Sequence, residues 1–418
     1  MPDTASTGQI LRELAEGLLD HFEITVICVV PSYIGIIEDK YKTQKHYIEN
    51  INGVNVIRVR VPEFQKGNKL SRIKNILTYF IRSLLVTWKV DKQDFILAVS
   101  QPPILGGLLG VWGKWVNKVK YKNLSYLVYQ IQDFNPEQIE AVGYFKFKSL
   151  LYLLRKIDKY SCKKADLVIT VGRDLVETVE NRFKKDYINM PKVALINNWI
   201  DEKEIHPLSP NNEQVIAFKE KYGLKNKFII CYSGNLGHYY DLMNLLKVIE
   251  KFDSKTTIND GREVIFTFIG AGSLLNSMKE YVRVQHMTNV LFIPYQDKSE
   301  LIFSLNAADV HWCVNAKGIK GVSCPSKYYG IAAVGKPVLG VLEKGSEIRR
   351  IVEETNGGLC CDPGEYEVIE KNISWFIENA DSNQVKEMGI RSREYLAKNL
   401  TREKSVARYA EMIMGLEK

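Results

Sequence analysis

The sequence predicts an α/β protein built as two doubly wound domains that face each other across a cleft. Three observations carry that prediction. Short β-branched runs alternate with helical patterns nearly throughout the chain, which calls for parallel sheets with right-handed crossovers. Those runs are mostly continuous in hydrophobicity rather than alternating, as expected of strands covered by helices on both faces. At 418 residues the chain is also too long for one core, and two domains of about 200 residues each are the natural division.

In the first half the expected strands are 23–30 ("EITVICVV"), 54–61 ("VNVIRVRV"), 95–100 ("FILAVS"), 126–131 ("YLVYQI"), 165–171 ("ADLVITV") and 192–197 ("KVALIN"). In the second they are 228–234 ("FIICYSG"), 264–270 ("VIFTFIG"), 289–295 ("NVLFIPY"), 308–314 ("ADVHWCV") and 336–342 ("KPVLGVL"). Between the two series lies "NNWIDEKEIHPLSPNNEQ" (197–214), polar and Pro-containing, the strongest boundary signal in the chain. The division is therefore 1–200 and 201–390, followed by a C-terminal helix within 391–418 assigned back toward the first domain. Its stretch "TREKSVARYAEMIMGLEK" is amphipathic and by pattern alone could pack on either domain. The start of the chain is unusual. "MPDTASTGQILRELAEGL" runs a Pro/Thr/Ser/Gly turn straight into an amphipathic helix, whereas such a turn normally follows a first strand and faces a ligand.

The apolar fraction of 45% and charged fraction of 25% are those of an ordinary globular protein. No apolar run reaches the roughly 18 residues of a spanning helix, and the N-terminus lacks the basic-then-apolar pattern of a signal peptide. Seven cysteines include the adjacent pair Cys360 and Cys361 but no C-x-x-C spacing, and the six histidines form no ligand pattern. Reduced thiols are expected, and no metal site. The net charge of +8 is uneven. Residues 1–200 carry 29 Lys+Arg against 20 Asp+Glu, residues 201–418 carry 28 against 29, and residues 58–122 alone carry 13 against 3.

In open α/β sheets ligands bind beyond the C-terminal strand edges, so Gly-rich turns after strands are the places to search. "CYSGNLGHYYDLMNLLKVIE" (231–250) is a strand, the turn Ser233-Gly234-Asn235-Leu236-Gly237, then a helix. Backbone N–H groups of such a turn suit a diphosphate, although a tight βα turn uses glycines for positive φ in any case. "FTFIGAGSLLNSM" (266–278) repeats the arrangement with Gly270 and Gly272. The most specific stretch is "GIKGVSCPSKYYGIAAVGKPVLG" (318–340), where Ser326 and Lys327 open a helix. A lysine in a first turn opposes the helix dipole, and an anion beside it would explain the choice. In "EKGSEIRRIVEETNGGL" (343–359), Gly345, Ser346 and Glu347 begin another helix, where Glu347 either caps the helix or binds a hydroxyl.

Together these stretches resemble the retaining, nucleotide-sugar-dependent glycosyltransferases of family 4. The likeness is to the branch typified by N-acetylfucosaminyltransferases of bacterial O-antigen and capsule assembly. In the first half it is carried by "PDTASTGQILRELAEGL", "SQPPILGGLLG", "YQIQDFNPEQI", "ADLVITVGRDLVE" and "INNWID". In the second it is carried by "YSGNLG", "IGAGSLL", "PSKYYGIAAVGKPVL" and "GSEIRRIVEETNGGL". The resemblance implies the GT-B fold, two Rossmann-like domains with the donor on the second and the acceptor on the first. It implies transfer from a nucleotide-sugar, uridine diphosphate being the expected nucleotide, with no cofactor and no metal. The implied donor-binding residues are Ser233, Gly234, Asn235, Gly237, Gly270, Gly272, Ser326, Lys327, Gly345, Ser346 and Glu347; Thr7, Gly8 and Pro102 fall on the acceptor side. Family members carry a strand before the first turn, so a central strand is expected upstream of Met1.

The chain departs from the family's pattern where that pattern carries charge. The Glu-x7-Glu pair falls at Val322 and Gly330, so both carboxylates are gone. The Arg and Lys that neutralise the diphosphate fall at Asn235 and Asp241. Lys327 is then the first candidate for the phosphate cation, followed by Lys320 and Lys317. The family's His-Asp beside the transferring sugar reads Gln132-Asp133, which makes Asp133, Gln132 and Lys327 the catalytic candidates. Asp133 could instead cap the next helix, and Glu137 is a further candidate. A nucleotide-sugar epimerase of similar architecture and a non-catalytic nucleotide-sugar-binding protein are the competing readings.

The basic region has its own pattern. "KLSRIKNILTYFIRSLLVTWK" (69–89) and "VWGKWVNKVKYK" (111–122) interleave Lys and Arg with Trp and aliphatic residues. That composition suits helices lying in an anionic bilayer interface, or a solvated basic face over core helices. With the resemblance, it predicts a cytoplasmic protein held peripherally at the inner face of the plasma membrane. Its acceptor would be a polyprenyl-diphosphate-linked sugar or a glycan. No nucleic-acid-binding module is recognised, so no nucleic-acid partner is expected.

Overall fold

The computed structural model describes residues 6–32, 35–65, 67–141, 148–253 and 255–417. The first lobe opens with the amphipathic α1 (Ser6–Gly17), which buries Ile10 and Leu14. β1 (Thr25–Val29), β2 (His46–Ile51) and β3 (Val54–Val59) form a small sheet in the order β1-β3-β2. β2 was absent from the sequence expectation and runs antiparallel to β3. The hairpin turn is made by Asn52 and Gly53, at φ of 51° and 90°, the left-handed pair that an Asn-Gly turn favours.

The rest of the first lobe is a parallel α/β unit. In chain order it comprises α2 (Lys69–Thr87), β4 (Phe95–Val99), α3 (Leu105–Tyr121), β5 (Tyr126–Ile131), α4 (Asn135–Ala141), α5 (Lys148–Lys164), β6 (Leu167–Thr170), α6 (Arg173–Phe183) and β7 (Lys192–Leu195). Asn68 caps α2, its side chain accepting from the N–H groups of Leu70 and Ser71. The strands pair in the order β4-β5-β6-β7. The single sheet expected of a doubly wound domain is thus in two pieces, with no ladder between β1 and β4. Both of those strands are only half-buried, since each lacks a neighbour on one side.

The second lobe is one continuous parallel sheet. It contains α7 (Glu213–Lys221), β8 (Lys227–Ser233), α8 (Leu242–Ile249), β9 (Glu263–Ile269), α9 (Leu275–Val284), β10 (Val290–Ile293), α10 (Lys298–Ala307), β11 (Val310–Val314) and α11 (Lys327–Ala333). β12 (Val338–Val341), α12 (Glu347–Thr355), β13 (Gly358–Cys361), α13 (Tyr366–Glu378) and α14 (Asn383–Asn399) complete it. Strand order is β10-β9-β8-β11-β12-β13, and β13 is a second strand the sequence reading lacked. Leu245, Met278 and Phe376 cover one face of the sheet; Tyr328, Ile351 and Leu396 cover the other. This two-sided burial is why the strands read as continuous apolar runs.

α14 stays with the second lobe, packing on α11 and α12, so the return to the first lobe begins at Thr401 rather than at 391. α15 (Arg402–Met414) then lies on the first lobe, where Val406, Tyr409 and Ile413 join a core with Leu14, Val128 and Leu167. Gln130 donates to the Tyr409 hydroxyl at 2.6 Å across that contact. All seven cysteines are free thiols.

Candidate active site

The lobes meet along two seams. In the first, the loop before α11 lies on the first lobe. Gly321 N–H donates to Asp174 at 2.7 Å, the Thr178 hydroxyl donates to Gly321 O at 2.8 Å, and Phe134 N–H donates to Val322 O at 2.8 Å. Val322, at the family's first glutamate place, is an apolar plug in the first-lobe core beside Phe134 and Leu175. The second seam is built on Glu347, which is only 2% exposed. Its carboxylate accepts from the Arg173 backbone N–H and Nε, both at 2.8 Å, and from Asn197 Nδ2 at 3.0 Å. A carboxylate this buried needs such partners, and here they come from the opposite lobe.

Two cavities flank the junction between the seams. The larger, about 190 Å³, lies between α1, α10, β11 and α11, and its lining includes Ser233, Leu301, Trp312, Ser326, Lys327 and Gly330. His311 also lines it, with Nε2 2.9 Å from Leu305 O; burial pushes this imidazole down to about 4, so it is neutral at pH 7. Glu13 closes the first-lobe side, accepting from Trp199 Nε1 at 2.8 Å. The smaller cavity, about 170 Å³, is more polar and lies between the lobes. Thr7, Gln132, Asp133, Asn198, Tyr240 and Asn315 are among its walls, together with Ser326 and Lys327.

Lys327 therefore reaches both cavities. Its aliphatic chain rests on Gly234, where an added Cβ would come 2.5 Å from the lysine Cε. Its ammonium sits 3.7 Å from the Tyr240 ring centroid and 5.2 Å from that of Tyr232. Among the described residues no carboxylate lies within salt-bridge distance of it. Gly234 and Gly270 have φ of 147° and 144°, and a Cβ on Gly270 would fall 2.0 Å from Gly234 O. The two Gly-rich turns thus stack on one another, and the first in turn seats the lysine.

Tyr240 is held in place by its neighbour Asp241, at φ 52°, whose carboxylate accepts from Tyr366 Oη at 2.8 Å and Asn244 Nδ2 at 2.7 Å. Asp241, the second place where the family carries a cation, is here a structural bolt.

Asp133 forms a β-bridge with Ser323, whose hydroxyl hydrogen-bonds the carboxylate. Burial pushes the Asp133 carboxyl above the ordinary range, and that hydrogen bond only partly offsets the push. Gln132 accepts from Asn198 Nδ2 at 2.8 Å, while its own Nε2 is buried without a partner.

Of the remaining candidates, only Gly330 lines a cavity. Gly8 is inside α1 with nothing near its missing Cβ, and Pro102 precedes α3 away from both linings. Asn235 and Gly237 complete the first turn, Asn235 being exposed, and Gly272 packs on Leu236 O. Gly345 lies under Lys320, Ser346 is buried, and Glu347 is spent on the seam, and none of the three lines either cavity. Lys317 and Lys320 are exposed and line neither cavity. Glu137 is taken by Arg182, at 2.7 Å. Gly330 is buried against Leu305 and Ile200. Asn198, Tyr240, Asn315 and Glu13 were not expected; no turn or cap signal in the sequence marks them.

Comparisons with known proteins agree with this architecture. The family described as glycosyl transferases group 1 matches residues 215–395. The probable glycosyltransferase WbjE of Pseudomonas aeruginosa is 29% identical over 329 residues, 76% of this chain and 75% of that protein. The putative colanic acid biosynthesis glycosyl transferase WcaI of Escherichia coli K12 is 23% identical over 293 residues, covering 69% of this chain and 67% of its own. Among solved structures, sucrose-phosphate synthase of Thermosynechococcus elongatus superposes with a TM-score of 0.72 at 14% identity, covering 99% and 94% of the two chains. Anabaena HepE, solved with UDP-glucose, gives 0.68 at 13% identity over 99% and 97%. The second lobe thus matches the group 1 glycosyl transferases over residues 215–395, the chain is similar in sequence to glycosyltransferases along most of its length, and its fold is the GT-B architecture of the solved structures.

Proposed function

We propose that the chain transfers a sugar, with retention, from a uridine-diphosphate sugar to a carrier-linked or glycan acceptor in the assembly of a bacterial surface polysaccharide, working at the inner face of the plasma membrane. The observation that carries this reading is Lys327, a cation with no carboxylate partner among the described residues, at the junction of two cavities. A nucleoside diphosphate spanning that junction would put its phosphates at the ammonium and its nucleoside in the larger, mainly apolar cavity. The sugar then enters the smaller cavity, beside Asp133 and Gln132. The departing diphosphate, neutralised by Lys327 and backbone N–H groups, takes the acceptor proton on the same face of the sugar. Catalysis is then chiefly positioning and stabilisation of developing charge. A desolvated Asp133, hydrogen-bonded by Ser323, suits contact with a sugar hydroxyl. The name of WcaI, a putative colanic acid biosynthesis glycosyl transferase, supports a role in polysaccharide assembly, and the UDP-glucose bound to HepE supports the donor class.

Calorimetric titration with UDP and UDP-sugars tests the reading. Lys327→Ala is expected to weaken donor binding at least tenfold, a loss of about 1.5–3 kcal/mol. Unchanged affinity would remove Lys327 from the phosphate site. A labelled nucleotide-sugar incubated with and without a lipid-linked acceptor then separates transfer from epimerisation.

A further inference from the structure

We propose that the outer face formed by α2, α3 and α5 docks this enzyme onto an anionic lipid bilayer, with one apolar row of α2 entering the interface. This surface is separate from the cleft, and the proposal rests on the reaction above only for the use a membrane would serve.

The row is Leu70, Ile73, Leu77, Ile81, Leu85 and Trp88, from 42% to 78% exposed. At 100° per residue these positions fall within one third of the helix circumference, so they form a single face. The opposite face buries Ser83 and Val86. α3 packs beside α2 and α5 packs beside α3, extending the surface. On α3, Trp115 and Val119 are exposed; on α5, Leu153 and Tyr160 are. Trp88, Trp112 and Trp115 cluster at the α2–α3 contact, with ring centroids 4.7–6.4 Å apart.

Charge identifies the partner. The three helices hold thirteen Lys and Arg residues and one carboxylate, Asp158, which is buried against Arg182; Lys114, Arg155 and Lys159 pair with acids of neighbouring elements, which leaves ten basic residues without a carboxylate partner among the described residues. A second copy of the chain would meet this face with like charge, which argues against a dimer. Nucleic acid matches the charge but not a row of Leu and Ile. A bilayer with anionic headgroups matches both, taking aliphatic side chains at the acyl boundary and lysines at the phosphates. No helix among the described residues is long and apolar enough to cross a membrane, so the contact is interfacial. α4, which carries Gln138 in the smaller cavity wall, packs on α5. A carrier-anchored acceptor would therefore emerge from the bilayer close to the cleft.

The test is co-sedimentation of the full chain with vesicles of phosphatidylglycerol and phosphatidylethanolamine, beside pure phosphatidylcholine. The wild type is expected to pellet with the anionic vesicles and to be released by salt. The exposed pair Leu77→Glu with Ile81→Glu should weaken vesicle binding about tenfold or more while leaving UDP affinity unchanged. Lys69→Gln with Lys74→Gln should flatten the salt dependence. Failure of the wild type to pellet, or a glutamate variant that pellets equally, overturns the proposal. So does duplex DNA binding without vesicle binding. Vesicle binding by a chain that binds no nucleotide would sink the proposed reaction and leave this surface standing.

Discussion

The two lobes bury parallel sheets with different tolerances. In the second lobe six strands form one sheet, β11 and β12 are wholly buried, and the turns at Gly234 and Gly270 leave no room for a single added carbon. In the first lobe the strands fall in two sheets, β1 and β4 are half-buried, and α2 turns a full apolar row outward. Charge divides the same way. Helices α2, α3 and α5 are almost free of acids, whereas α12 to α14 mix both signs. The contrast is one of exposure and charge rather than of backbone tightness, since α3 is itself packed closely at Gly106, where a Cβ would fall 1.9 Å from Val99 O: the second lobe turns its tight glycine loops toward the lysine proposed to hold phosphate, and the first turns an apolar, basic helix face outward.

A glycine pair tests that contrast most severely. Gly270→Ala forces a Cβ against Gly234 O at a φ of 144°, and should cost about 3 kcal/mol or more in urea unfolding. Gly8→Ala, inside α1 with open space around it, should be neutral or stabilise by about 0.5–1 kcal/mol. Equal tolerance at the two positions would mean that the contact of Gly270 with Gly234 O does not constrain the turn.

The seam between them comes next. Glu347→Gln keeps the side-chain shape but removes the charge that Arg173 and Asn197 address, and should lower stability by about 2 kcal/mol. Limited proteolysis of the 197–214 linker should speed up in parallel. An unaltered cleavage rate would mean that the Glu347 charge is not needed to hold the lobes together.

The smallest expected effect is at Asp133. Its folded carboxyl titrates above the unfolded value, so its contribution favours folding at acid pH and turns unfavourable as pH rises through the folded value. Asp133→Asn should therefore raise the melting temperature slightly at neutral pH, and the gain should shrink on acidification. Activity should fall in the same variant. A melting difference that is flat with pH would place the titration elsewhere.

Much of the fold was legible in the chain because burial on both sides of a sheet leaves a one-dimensional trace. "YLVYQI" and "FIICYSG" announce β5 and β8 without help from other residues. β2 left no such trace, since His46–Ile51 alternates and is half-exposed, although Asn52-Gly53 did signal its hairpin. β13 was missed because "GLCC" is too short to show a pattern. The turn glycines were legible for a similar reason: left-handed backbone selects glycine locally, whatever lies nearby.

What those glycines face was not legible. The sequence by itself determined two α/β series, the turn glycines and the basic first half, and it singled out Lys327 as a candidate. Only the tertiary structure decided that Glu347 closes a seam on Arg173, that Asp133 meets Ser323, that α15 packs on the first lobe, and that the apolar row of α2 faces outward. The physical reason is common to all four. An amphipathic pattern or a charged side chain states that a partner is required, but which partner comes within reach is set by how separate elements pack in space.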